Sequence, residues 1–340
     1  MALIRLDEPT SRRIDPKSYA LFALGFRPFY LLAALFAILA IPAWTVILAG
    51  VAAPAWPPVW WHAHEMVFGF AVAVIVGFLF TAGKVWTGLA TPTGRALQGL
   101  AALWVAGRIA MASGGGALAA LIDCAFLFTC AAMFARLLVK SRSHRNYGIG
   151  LLLLVLACAN LAFHLAAGGV LAIDPLQVML LAVALVITLE TVMAGRVVPM
   201  FTANALRGVK QWRHPWLDRG AIVLTLLALT TWIALPGTFA AILATAAAAL
   251  QLVRSMGWNP LATWRNPLLW VLHLSHLWIP IGLALAAMSV WGWVPRSAAV
   301  HALTIGSMAG LIIGMITRTA LGHTGRMLKA GAVETACYAL

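Results

Sequence analysis

Long apolar stretches alternate with short polar breaks along almost the whole chain. The apolar runs fall at about 28–49, 62–83, 95–112, 117–139, 147–168, 175–198, 220–235, 238–256, 268–290 and 298–320. A helix that crosses a bilayer needs about 20 mostly apolar residues. Only helices and closed barrels satisfy every backbone polar group inside lipid. The pattern therefore predicts an all-α, polytopic transmembrane bundle of about ten complete spans. Three starts carry proline near the first helical position, at Arg27-Pro28, Asp174-Pro175 and Asn266-Pro267, where its missing N–H costs nothing. Asp174 and Asn266 are also candidate caps for the first free amides. The breaks are short and rich in Gly and Pro, as at Gly114-Gly115-Gly116, Gly168-Gly169 and Pro236-Gly237. The longest, about 199–219, mixes Arg207, Lys210 and Arg213 with Trp212 and Trp216, a composition suited to the headgroup level. The organisation reads as an N-terminal segment 1–27, a helical domain 28–330, and a stretch 331–340 that begins a further apolar run and reads as cut short.

Composition agrees with lipid as the solvent. Of 340 residues, 63% are hydrophobic and 9% charged, and the mean hydropathy is +0.95. Soluble domains carry about 25% charged residues, so this chain cannot cover a water-facing surface, and it is too apolar for disorder. The four cysteines, Cys124, Cys130, Cys158 and Cys337, show no paired spacing and read as small packing residues. The net charge of +14 would suggest nucleic acid in a soluble protein, but here the basic residues are dealt out among alternate breaks. Counted loop by loop, 21 of the 23 Lys and Arg fall on one side, with only Arg108 and Arg296 on the other. Positive residues stay in the cytoplasm. The N-terminus is thus expected to be cytoplasmic in a multi-pass inner-membrane protein, and a nucleic-acid partner is not.

Ionisable residues within spans are costly and are functional candidates by default. They are Glu65, Arg108, Asp123, Glu190, His62, His64, His164, His273, His276 and His301, with His323 just beyond the last span. Arg108 and Asp123 flank the glycine turn symmetrically, so a helical hairpin sets them at one depth as a structural ion pair. Helix rise sorts the histidines into two levels. His62, His64, His164 and His301 form an outer level. His273 and His276 lie about 8 and 12 Å in from the inner end of their span. Imidazole suits copper, zinc, iron and haem. A lone membrane histidine more often bonds a backbone carbonyl or a serine, but six in ten spans argue against that origin for all. His273 and His276, at i and i+3, share a helix face. His62 and His64 stand roughly 200° apart on a helix and cannot both face one site unless the helix starts between them. Glu65 can orient an imidazole or carry protons. Glu190, deep in the sixth run, reads as a neutral acid or as a partner of His273 or Arg196. Gly306, Gly310 and Gly314, and likewise Gly69, Ala73 and Gly77, form smooth faces suited to close helix contact or, more rarely, to a flat porphyrin.

The segments Gly25-Phe26-Arg27-Pro28-Phe29, Trp61-His62-Ala63-His64-Glu65-Met66, Gly195-Arg196-Val197-Val198-Pro199-Met200-Phe201-Thr202, and Thr317-Arg318 through Leu321-Gly322-His323-Thr324-Gly325-Arg326 resemble the NnrS family over about 20–329. The resemblance implies a bacterial inner-membrane protein of about twelve spans. It also implies haem, expected as the b type, and copper as cofactors, and a role in nitric oxide metabolism, denitrification and nitrosative stress. Nitric oxide or iron–nitrosyl species would then be partners besides the bilayer. By motif match, His62, His64, Glu65, His323 and Arg326 correspond to characteristic family positions, and His164, His273, His276 and His301 lie in stretches that also resemble it. The expected metal ligands are therefore His62, His64, His164, His273, His276, His301 and His323, with Glu65, Glu190 and Arg326 as orienting or proton-carrying groups. Relative to the family, a final pair of spans is absent.

Two other readings compete: a transporter or metal carrier using the intramembrane His and Glu as a path, and a non-catalytic assembly or sensing subunit. No nucleophile–base set or phosphate loop points to a hydrolase or nucleotide-dependent enzyme, and the sequence leaves open whether the protein is an enzyme, which reaction it would run, and its oligomeric state. The charge distribution predicts that a reporter fused after Pro54 is active in the periplasm and one fused in 199–219 is active in the cytoplasm. Cytoplasmic activity of the Pro54 fusion would refute this topology.

Overall fold

The computed structural model describes residues 20–52 and 56–339. The basic residues Arg5, Arg12, Arg13 and Lys17, together with Pro54 and Leu340, lie outside the described residues. Ten long helices follow one another: α1 Phe26–Leu48, α2 Pro58–Thr87, α3 Gly94–Ala112, α4 Ala117–Lys140, α5 Tyr147–Ala167, α6 Pro175–Ala205, α7 Pro215–Ala234, α8 Thr238–Gly257, α9 Pro267–Val290 and α10 Arg296–His323. A short α11, Ala332–Ala339, occupies the place of the expected eleventh run. There is no strand among the described residues. Among the described residues, nine helices are long and apolar enough to cross a membrane. The tenth, α3, has 19 residues, but Arg95, Gln98 and Arg108 make it less apolar.

Local chemistry sets the ends. Pro58, Pro175, Pro215 and Pro267 each sit in the first turn of a helix. Asp174 caps α6 by accepting from the Leu176 amide at 2.9 Å, whereas Asn266 makes no side-chain cap. The α3–α4 turn runs through three consecutive glycines at φ +129°, +74° and +91°, a backbone that residues with a Cβ rarely adopt. Consecutive helices pack as neighbours except α2 and α3, which meet through side chains such as Trp104 and Arg108. The helix α6 touches α5, α7, α9 and the mid-sections of α2 and α10, so it stands at the centre. Only 11% of the most apolar stretch of α1 is buried against protein, against 72% in α2 and in α6. The helices α2 and α6 are therefore the best shielded from lipid.

Two helices share an unusual build. In α2 an α-helical start, Pro58–His64, runs into a π-helical segment, Glu65–Ala71, and then back into α-helix. In α10 the same sequence occurs as Arg296–His301, π-helical Ala302–Ala309 and Gly310–His323. The two align at one constant offset: His64 with His301, Gly69 with Gly306, Ala73 with Gly310 and Gly77 with Gly314 each stand 237 positions apart. The helix before each is its counterpart too. A Cβ at Gly69 would lie 2.6 Å from the Phe36 ring of α1, and a Cβ at Gly306 would overlap Trp278 of α9. At Gly77 it would meet Phe29, and at Gly314 it would meet Leu272. The smooth faces thus seat the preceding helix, and the porphyrin alternative for them is set aside.

Adding bulk to a filled notch forces side chains off their rotamers at a cost of about 1–3 kcal/mol. Gly77→Leu and Gly314→Leu should each lower the thermal unfolding temperature in detergent, whereas Gly99→Leu, at a site open within 4 Å, should not. Equal tolerance at all three would refute the notch packing.

Candidate metal centre

We call the end of the bundle where α1 stops and α2 begins the far end. There α2 to α5 bring six polar side chains together among apolar helices. His64 and Glu65 mark the junction of the α and π segments in α2. Arg108 sits in the last turns of α3 and Asp123 in the first turns of α4. Asn160 and His164, four residues apart and hence on one face, come from α5. All six are buried, each less than a tenth exposed.

Asp123 is the hub. Its Oδ2 accepts from Asn160 Nδ2 at 2.8 Å and stands 3.0 Å from His164 Nε2 and 3.2 Å from His64 Nε2. Its Oδ1 accepts from Arg108 Nη2. Arg108 Nη1 donates to Glu65 Oε1 at 2.6 Å, and that oxygen is 3.0 Å from His64 Nδ1. Asn160 Oδ1 lies 2.9 Å from His64 Nε2. Aromatic rings close the walls: Phe163 and Phe68 pack 4.7 and 5.1 Å from the His64 ring, and Trp56 stacks on Phe163. One ligand atom each from His64, Asp123 and His164 falls within 4.8 Å of the others. Two imidazoles and one carboxylate make a donor set suited to copper, zinc or iron. The carboxylate behind His64 Nδ1 is the arrangement that fixes the tautomer and direction of a ligating imidazole. One guanidinium between two carboxylates leaves a net charge of −1, which a bound cation would offset. His164 Nδ1 and Arg108 Nε have no partner.

The expected outer level of four histidines divides. His62 and His64 lie in one helical turn, so their rings diverge: His64 turns inward, while His62 stacks on Trp44 of α1 at 4.4 Å. His301 is exposed, and its Nδ1 lies 2.7 Å from the Ser297 carbonyl of its own helix. With that carbonyl as its partner, His301 does not join His64, Asp123 and His164 in the buried cluster, which corrects the expected convergence. Glu190 bonds neither His273 nor Arg196. Ser307 of α10 donates to its Oε2 at 3.1 Å, and Arg196 donates to Asn146 Oδ1 and the Arg145 carbonyl. His323 packs on Phe26 with ring centroids 5.5 Å apart, and Arg326 is exposed in the turn after α10.

At the other end, the two histidines on α9 have different surroundings. His273 Nε2 lies 2.9 Å from Thr202 Oγ1, while both His276 nitrogens are buried and unpartnered beneath the Trp258 ring. Nearby is a polar knot that the sequence reading passed over. Arg254, counted there among loop charges, is buried and donates to Asp218 Oδ1 at 2.8 Å and to the Thr191 carbonyl at 3.1 Å. Gln251 donates to Thr225 at 2.8 Å. Gly195 makes this possible, because a Cβ there would overlap the Arg254 guanidinium. Asn160 was also passed over. Its signal was an amide in an apolar run, one helical turn before His164.

The family model described as NnrS protein matches residues 20–340. No curated protein and no solved structure matches the chain.

Breaking a buried ion pair by removing one partner costs about 3–5 kcal/mol. Arg108→Met should destabilise the fold by that order. Arg108→Met/Asp123→Asn should not recover it, because Glu65 is still stranded, whereas adding Glu65→Gln should recover a part. Thermal unfolding in detergent checks the series, and full recovery in the double variant would refute a shared guanidinium.

Proposed function

Since the chain belongs to the NnrS family, we propose that it is a copper-binding inner-membrane protein of the nitric oxide response, with its metal held by His64, His164 and Asp123. The family supports the link to nitric oxide. One observation supports the site: three ligand atoms within 4.8 Å of one another, enclosed by four membrane helices. With the N-terminus cytoplasmic, as the charge distribution favours, this centre lies near the periplasmic face.

Each neighbour has a stated task. Glu65 holds His64 by Nδ1 and directs Nε2 inward. Asn160 and Arg108 fix the two oxygens of Asp123. Phe68, Phe163 and Trp56 exclude water, which strengthens every charge interaction inside. A bound copper ion would supply one-electron chemistry and an affinity for small diatomic ligands. Haem, the second cofactor that the resemblance implies, finds a donor without a slot. His276 has both nitrogens unpartnered, but its ring is covered by Trp258. The cavity that reaches α9 holds about 90 Å³, short of the roughly 300–1,000 Å³ of cofactor pockets.

Purified protein in lipid nanodiscs should take up one copper per chain, read by metal analysis and electron paramagnetic resonance. His64→Ala, His164→Ala and Asp123→Ala should each lose it, and Glu65→Gln should weaken affinity by about 10–100-fold. His301→Ala and His273→Ala should retain it. Retention in all three ligand variants would overturn the assignment.

A further inference from the structure

The cavity of about 90 Å³ lies between the two α–π–α helices and against α6. Its walls follow the internal repeat. Ala71 and Val74 line it from α2, and so do Met308 and Leu311, which stand 237 positions further on in α10. Ile75 is matched in the same way by Ile312, and Phe78 by Met315. Every α10 residue of the wall is the counterpart of an α2 residue of the wall. A chance packing gap has no reason to fall on the same register in both halves. The repeat therefore builds this space, and α6, which has no part in the repeat, adds one polar group to it: the Glu190 carboxyl, whose hydrogen bond comes from Ser307 in the second π segment. Among the described residues no cation pairs with Glu190.

We propose that this cavity is a binding chamber for one small, uncharged, apolar molecule, of the size of xenon or a two-atom gas, held beside Glu190. Size and lining select the class. A dry apolar cavity of about 150 Å³ takes benzene or xenon, and this one, open on one side, offers about 90 Å³, room for a guest of the smaller kind. One carboxyl in an otherwise apolar lining replaces only a small part of the hydration an ion would lose there. Half-buried Ile75, Phe78, Met193 and Met315 form the rim. This places the opening at the side of the bundle, where the bilayer concentrates apolar solutes, and methionine is the side chain that yields most readily to a passing guest. The π segment that ends at Ala71 in the chamber begins at Glu65 in the polar cluster. A guest is thus one segment away from His64. The chamber argument rests on the cavity and the repeat, not on the metal.

Xenon is the probe, with the full chain in nanodiscs by xenon NMR and in xenon-pressurised crystals. One xenon is expected between α2 and α10. Ala71→Phe and Ile312→Phe fill the space from opposite halves and should each abolish binding, and the second covers a folding failure of the first. Met308→Ala enlarges the chamber and should raise occupancy. Copper content should be unchanged in all three. Absence of xenon from both the unmodified chain and Met308→Ala, persistence of xenon in a folded filled variant, or a lipid acyl chain seated in the chamber would each overturn the proposal.

Discussion

A guanidinium at membrane depth cannot stand alone, and the far half of the bundle is organised by that constraint. Arg108 is fixed on α3, and its charge is met by Glu65 from α2 and Asp123 from α4. Two carboxylates exceed one guanidinium, so further donors are required. Asn160 supplies one from α5, and His64 and His164 stand at hydrogen-bond distance from the same Asp123 oxygen. Desolvation makes each partner necessary, because a buried charge left short of partners costs several kcal/mol. The same requirement that holds four helices in register also gathers two imidazoles and a carboxylate around one point.

The π segments serve this geometry. A π turn widens the helix by bonding i to i+5 and occurs often at functional sites. Here it starts at Glu65, directly after His64, so the polar pair sits where the helix changes its winding. The second π segment, in α10, carries Ser307 to Glu190. With α1 and α9 seated in the glycine notches of α2 and α10, each half is a closely packed hairpin. The space left between them is set by backbone winding as well as by side-chain size.

The near end uses different chemistry. Arg254, Asp218, Gln251, Thr191 and Thr225 tie α6, α7 and α8 together by hydrogen bonds. Such contacts matter in lipid, where helix association gains nothing from hiding apolar surface and depends on packing and polar bonds. The glycine of the Gly195-Arg196 motif is explained by this knot: it is the gap that admits Arg254.

Helix number and hairpin depth follow from the sequence, because lipid imposes a length and an apolar composition on each span. The limits follow less closely: α6 runs through Pro199 to Ala205 instead of ending at 198. Depth is a one-dimensional quantity, so rise per residue already placed Arg108 level with Asp123 and separated the histidines into two levels. Direction is not one-dimensional. That His62 and His64 diverge follows from one helical turn, but which of them faces the bundle depends on how α2 is rotated against its neighbours. That His301 stays at the rim while Asp123 becomes a hub depends on how α3, α4 and α5 rotate against α2. The glycine stripes show the same division. Their spacing predicted a close approach, but only the packed helices decide that Phe29, Phe36, Leu272 and Trp278 fill the notches. The 237-residue repeat was present in the sequence all along, yet scattered identities at a long offset carry little weight until the same π-helical build appears twice. Burial in lipid is written residue by residue, whereas convergence at a point is a property of helix rotation, which only tertiary packing fixes.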